Sequence, residues 1–217
     1  MYDRRKPRSV LAVGAHPDDV EIGCAGTLVQ HRAVGDQVTV LVMSGGELGA
    51  QVKEGRREEA LRAAEVLDTR IVLGPFFDGT IPLTSETVDV VEGLIREHDV
   101  DTVYVHSPED AHQDHVVTAR AVLAATRKMN RVLFYQSPST TVFHPTIFVD
   151  IEEHLARKME ALKCHQSQLR GSSTLDLDVL TATARYWGSR GRLEYAEAFE
   201  PYRFAWDITP PDRRKRL

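Results

Sequence analysis

Two short segments concentrate the side chains able to do metal and acid–base chemistry. The first, AHPDDVE at residues 15–21, sets His16, Asp18 and Asp19 around a proline. The second, AHQDH at residues 111–115, supplies His112, Asp114 and His115. Adjacent carboxylates repel, and they are costly to bury unless something positive sits between them. A divalent cation meets that need. Catalytic zinc takes three protein ligands and keeps one position open for water. His16 and Asp19, three residues apart, can face one ion, and His115 can close the triad from the second segment. Asp18, next to a ligand, is then available as general base toward a water whose pKa the ion lowers to about 7. His112 is placed to stabilise an oxyanion or to protonate a leaving amine. Asp114 is placed to hold one of the imidazoles through its second ring nitrogen. Each segment also has a plainer reading: Asp18 or Asp19 as a helix N-cap, and HQDH as a solvated loop.

The elements that must position these segments are legible in the hydrophobic pattern. Strand-length apolar runs at 9–15, 37–44, 70–74, 101–106, 131–136 and 146–151 alternate with amphipathic stretches. Helices are predicted at 21–34, 53–67, 85–97, 114–129 and 151–165, with one more at 174–190. That alternation is the signature of βα units and an open α/β sheet. In such sheets ligands bind beyond the carboxyl ends of the strands. Both segments have that address, and they meet if the strand at 101–106 lies beside the first.

The totals suit a single domain over 1–217, with solvated tails at about 1–7 and 209–217. The net charge of −5 gives no general nucleic-acid surface. Two cysteines, far apart and without a CxxC partner, argue for a reducing compartment. No signal-peptide pattern or bilayer-length apolar run is visible. A cytoplasmic protein with no membrane partner is expected.

AHPDDVEIG followed by HQDH closely resembles the LmbE-like, or PIG-L, family of metal-dependent de-N-acetylases. REEALRAAEVL (57–67), KMEALKCHQSQ (158–168) and GRLEYAEAFEPYR (191–203) look like further family segments. The resemblance implies a Rossmann-like open, mostly parallel sheet with helices on both faces. It implies zinc on His16, Asp19 and His115, with iron(II) also compatible, and Asp18 as general base. His112 would stabilise the tetrahedral intermediate, with Asp114 as its polar partner. The reaction implied is hydrolysis of an N-acetyl amide on a small N-acetylglucosamine-type conjugate. Thiol conjugates and antibiotic intermediates are the alternative substrates. The compact length is similar to bacillithiol-type members, whose trimers or hexamers suggest a homo-oligomer.

Arg56 (three before Glu59), Ser44, Glu47, His165 and Gln168 are candidate substrate contacts. Where some mycothiol-pathway members carry a Tyr, this chain has Asp110. His106 and His144 read as loop residues without an assigned role. Two other classes compete: a non-haem iron redox enzyme on the same two-His, one-carboxylate set, and a non-catalytic nucleotide module. The first has no use for Asp18 and His112. The second lacks GxGxxG and sets acids where a phosphate would sit.

Overall fold

The computed structural model describes residues 7–49, 55–171 and 175–206. The expected tails lie outside these residues except for Pro7, as do the first residues of the helices expected from Lys53 and Thr174. One sheet of seven strands organises the chain: β1 (Ser9–Gly14), β2 (Gln37–Ser44), β3 (Arg70–Phe76), β4 (Thr102–His106), β5 (Arg131–Tyr135), β6 (Ile147–Asp150) and β7 (Ala196–Phe204). The helices are α1 (Asp19–Ala33), α2 (Gly55–Leu67), α3 (Ser85–Glu97), α4 (Gln113–Ala125), α5 (Leu155–Lys163), α6 (Gln166–Gly171) and α7 (Leu177–Gly191). Strand order is β3-β2-β1-β4-β5-β7-β6. The first five strands are parallel, while β7 runs antiparallel to both β5 and β6.

Parallel strands buried on both faces need near-continuous apolar runs, and β1 shows why. Leu11 and Val13 face a core shared with Leu41, Met43, Val103 and Val105, closed by Val91 and Leu94 of α3 and Val122 of α4. Val10 and Ala12 point the other way, against Val38, Val40 and the α1 residues Val20, Cys24 and Leu28. Helices therefore cover both faces, as expected. The packing between α1 and β5 is close enough that a Cβ on Gly23 would come within 2.2 Å of the Tyr135 ring. The Tyr135 hydroxyl in turn donates to the Val13 carbonyl at 2.8 Å.

The order reverses between β1 and β4, which pair from Val10 with Thr102 to Val13 with Val105. This is the switch point at which open sheets form a crevice. Two features depart from the sequence pattern. The helix expected over 151–165 begins as a 3-10 turn at Glu152–His154, and α6 follows α5 as a separate helix. The strand β7 is absent from the expected elements. It carries a buried Glu197, whose oxygens accept from the Gly26 and Thr27 N–H groups and from Lys158 Nζ at 2.6–2.9 Å. Among the described residues, no helix is long and apolar enough to cross a membrane.

Candidate metal centre

The site begins where β1 stops. The chain turns through Ala15–Asp18 and enters α1, with Asp18 at the N-cap position in the left-handed region, φ 102° and ψ −23°. For a residue with a Cβ, that conformation costs about 1–3 kcal/mol and persists only where the surroundings enforce it. The enforcement is visible. Asp19 Oδ2 accepts the His16 N–H at 2.7 Å, and Arg56 donates to the Pro17 carbonyl at 2.7 Å and to the Gly46 carbonyl at 3.1 Å. The Asp18 side chain makes no capping bond to α1. Its carboxylate lies 3.4 Å from an Arg56 guanidinium nitrogen instead.

The end of β4 supplies the opposite wall. His106, the last residue of that strand, is fully buried and stacks on His115 with ring centroids 3.9 Å apart. Its Nε2 lies 3.0 Å from Asp19 Oδ2, and His115 Nε2 lies 3.4 Å from Asp19 Oδ1. His112 is the N-cap of α4, and its Nδ1 accepts the Asp114 N–H at 3.2 Å. That bond leaves the proton of the neutral ring on Nε2. The Asp114 carboxylate serves His16, at 3.2 Å from its Nε2, and accepts the Gly79 N–H at 2.6 Å. Asp114 hydrogen-bonds His112 through its backbone N–H, while its carboxylate acts on that ring through charge alone. Asp78 stands beside it, 3.0 Å from the same His16 nitrogen.

Asp110 is turned toward the protein. Its oxygens accept from the His112 N–H at 2.9 Å, from Ser137 and Ser139 at 2.6 Å, and from Thr140 at 3.1 Å. It also stands 3.3 Å from His115 Nδ1. A carboxylate on the far nitrogen of an imidazole fixes its tautomer and aims the other nitrogen.

These residues fit a divalent cation. His16, His112 and His115 have donor atoms within 4.8 Å of one another, and so do Asp19, His106 and His115. A third such group joins His16 to Asp78 and Asp114. Burial disfavours a charged His16, yet Asp114, Asp19 and Asp78 outweigh it and push its pKa up to about 12. Burial likewise opposes charge on His115, but Asp19 and Asp110 raise it to about 9. His106 goes the other way, to about 4, because burial prevails. Acids that raise the His16 and His115 pKa values in this way create a negative potential that a bound cation would offset. The donors are nitrogen and oxygen without sulfur, a set suited to zinc or iron(II). Burial lifts the Asp18 carboxyl to about 6, against the pull of Arg56.

A cavity of about 740 Å³ opens onto these groups, lined by His16, Asp18, Asp19, Asp78, His112 and His115 among others. Arg56 and Gln168 also line it, and Gln168 donates to the Gly49 carbonyl at 2.9 Å. Ser44, Glu47 and His165 are not among the lining residues. Ser44 donates to the Ala15 carbonyl at 2.8 Å, and Glu47 accepts the Asp78 N–H at 3.0 Å. His165 is fully buried, 3.6 Å from Glu21. Sequence reasoning passed over Asp78, His106 and the orienting role of Asp110. The available signal was positional, since Asp78 follows β3 and His106 ends β4 at the same edge of the sheet.

Comparison with known proteins agrees with this architecture. Residues 11–126 match the family described as PIG-L, GlcNAc-PI de-N-acetylase. The uncharacterized deacetylase YaiS of Escherichia coli is 32% identical over 176 residues, 77% of this chain and 95% of that protein. Diacetylchitobiose deacetylase of Thermococcus kodakarensis is 28% identical over 217 residues, 88% and 81% of the two chains. The 4-oxalmesaconate hydratase of Pseudomonas putida is 27% identical over 194 residues, 74% of each. Among solved structures, the conserved protein TT1542 of Thermus thermophilus superposes with a TM-score of 0.81 at 28% identity, covering 92% of this chain and 96% of that one. With more than half its length matched to that family, and both acid–imidazole segments at adjoining strand ends, the chain belongs to the PIG-L family of de-N-acetylases.

Proposed function

We propose that the protein hydrolyses the acetamide of a small N-acetylglucosamine-type conjugate, with zinc held by His16, Asp19 and His115. The observation that carries this reading is that those three residues, Asp18 and His112 line one cavity, with His16 Nδ1 and His115 Nε2 at 3.5 and 3.4 Å from the Asp19 carboxylate. Bound there, the ion would polarise the acetyl carbonyl and acidify the attacking water. Asp18 accepts the proton of that water. Asp18, lifted to about 6 by burial, would be lowered again by a cation held beside it and would then be ionised at neutral pH. Arg56 holds the strained turn that presents Asp18, and Asp110 holds His115 in register. His112 donates a hydrogen bond from its Nε2–H to the tetrahedral oxyanion. Asp78, Arg56 and Gln168 border the cavity where sugar hydroxyls need partners.

A homo-oligomer, trimer or hexamer, in the cytoplasm belongs to the same reading. Two free cysteines, Cys24 and Cys164, support the reducing compartment. Sedimentation and cell fractionation test the assembly and its location.

The chemical test is acetate release from methyl N-acetylglucosaminide by protein stripped of metal and then reloaded with zinc. Release that returns with zinc is expected. Addition of water to an unsaturated acid, with no acetate from any acetamide, would transfer the assignment to the hydratase chemistry found among the relatives. Asp18→Asn keeps its zinc and loses about 10²–10⁴ in rate. Full turnover by that variant would refute the role of the base.

A further inference from the structure

A second cleft, of about 290 Å³, lies between α7 and β7. Its α7 wall is Val179, Leu180, Thr183, Ala184 and Trp187, one helical stripe, and its β7 wall includes Ala196 and Ala198. A stripe of this kind normally packs into a closed core. Here it borders open volume. The two charged residues at the cleft, Lys158 and Glu197, are taken up internally. Lys158 donates to Glu197 at 2.6 Å and to the Ile22 carbonyl at 2.8 Å, while Glu197 also accepts two N–H groups of α1. Trp187 Nε1 is likewise engaged, with Gln136 at 3.2 Å. The cleft thus offers apolar surface and an indole, with its charged groups and the indole N–H already partnered. That composition suits an uncharged apolar or aromatic group.

The cleft adjoins the metal centre. Ile22 and Pro138 line both cavities. Ser137, next to Pro138, stands 3.4 Å from His115 Nδ1. We infer that the α7–β7 cleft is a specificity subsite for an uncharged alkyl or aryl group attached to the N-acetylated sugar. The sugar occupies the 740 Å³ cavity, and its substituent crosses Ile22 and Pro138 onto Trp187. This rests on the deacetylase reading above.

The experiment pairs phenyl and methyl N-acetylglucosaminide. Calorimetric affinities are measured on the isolated protein carrying Asp18→Asn, and kcat/KM for acetate release on the zinc-loaded protein. The phenyl conjugate should bind at least about tenfold tighter, as expected for a ring transferred into an apolar pocket. Ala184→Leu fills the cleft and should bring the phenyl-to-methyl ratio close to one. Val179→Asp, on a residue 59% exposed and therefore safe for folding, places a charge at the same surface and should lower that ratio too. Equal affinities for the two conjugates, with both deacetylated, would overturn the subsite and leave the deacetylase standing. Tighter phenyl binding that is lost in both variants, without acetate release from either conjugate, would support the cleft and overturn the deacetylase reading. A phenyl preference unaffected by either variant would also overturn the subsite.

Discussion

Replacing Asp110 by Asn removes a charge while keeping the shape, so it tests what that carboxylate does for His115. Every group around Asp110 gives it a hydrogen bond or stands ready to. One oxygen serves the His112 N–H at 2.9 Å and Ser139 at 2.6 Å. The other serves Ser137 at 2.6 Å and Thr140 at 3.1 Å, with His115 Nδ1 at 3.3 Å. An asparagine must put its NH2 against one of these sets. Facing His112, it leaves a backbone N–H at the start of α4 without its acceptor, at a cost of about 1–3 kcal/mol. Facing His115, it drives the ring proton from Nδ1 to Nε2, the nitrogen that the proposed zinc site requires. Loss of such an orienting carboxylate typically weakens metal binding about 10–100-fold. At 1.4 kcal/mol per tenfold, that is roughly 1.4–2.8 kcal/mol. Competition against a chromophoric chelator reads the zinc affinity directly, and circular dichroism reports whether the fold survives. Zinc affinity within about twofold of the parent, in a folded variant, would refute the assignment, because the expected loss starts at tenfold.

Two further outcomes follow from the packing. Asp18→Gly relieves the left-handed backbone but strips the buried Arg56 of the carboxylate 3.4 Å away. The two effects should offset and leave the stability of the metal-free protein within about 1 kcal/mol while turnover is abolished. A melting temperature within about 2–4 °C of the parent is expected, and a larger fall would show that the Asp18–Arg56 pair outweighs the strain of the turn. Lys158→Met leaves Glu197 buried without its cation, and should cost about 3–5 kcal/mol in urea unfolding. A loss below about 1 kcal/mol would mean that the α1 amides alone satisfy Glu197.

The sequence disclosed most of the scaffold because most of it is locally determined. The runs that became β1 to β5 are apolar on both faces, and the stretches between them carry helical periodicity. The adjacency of β1 and β4 was a condition that a doubly wound order allows, and the strand pairing meets it. The strand β7 escaped because its pattern misleads. AEAFEPYRF offers small residues, two glutamates and a proline, and its pairing partners lie far away in sequence. Only the structure shows that Glu197 is buried because Lys158 and the α1 backbone receive it. The site was half legible for a similar reason. AHPDD and HQDH compress their chemistry into a few positions, whereas Asp78, His106 and Asp110 acquire meaning from neighbours about 30 to 90 positions away. Ser44 and Glu47 lie at the correct edge of the sheet but spend their polar atoms on the loops beside them, which spacing alone does not disclose.

The cap that His112 makes on α4 bears on how the reaction ends. Its Nδ1 is closed by the Asp114 N–H, so the ring gains a second proton only by surrendering that bond. A neutral imidazole anchored in this way gives a hydrogen bond well but is a poor acid toward a departing amine. On the proposed mechanism, the proton that Asp18 draws from water is then the one delivered to the nitrogen, carried by a single carboxylate from one side of the scissile bond to the other. Such a reaction has one hydron in flight. In mixtures of light and heavy water its rate should decline in a straight line with deuterium content, whereas a bowed line would reveal a second transfer and an imidazole that had let go of its helix.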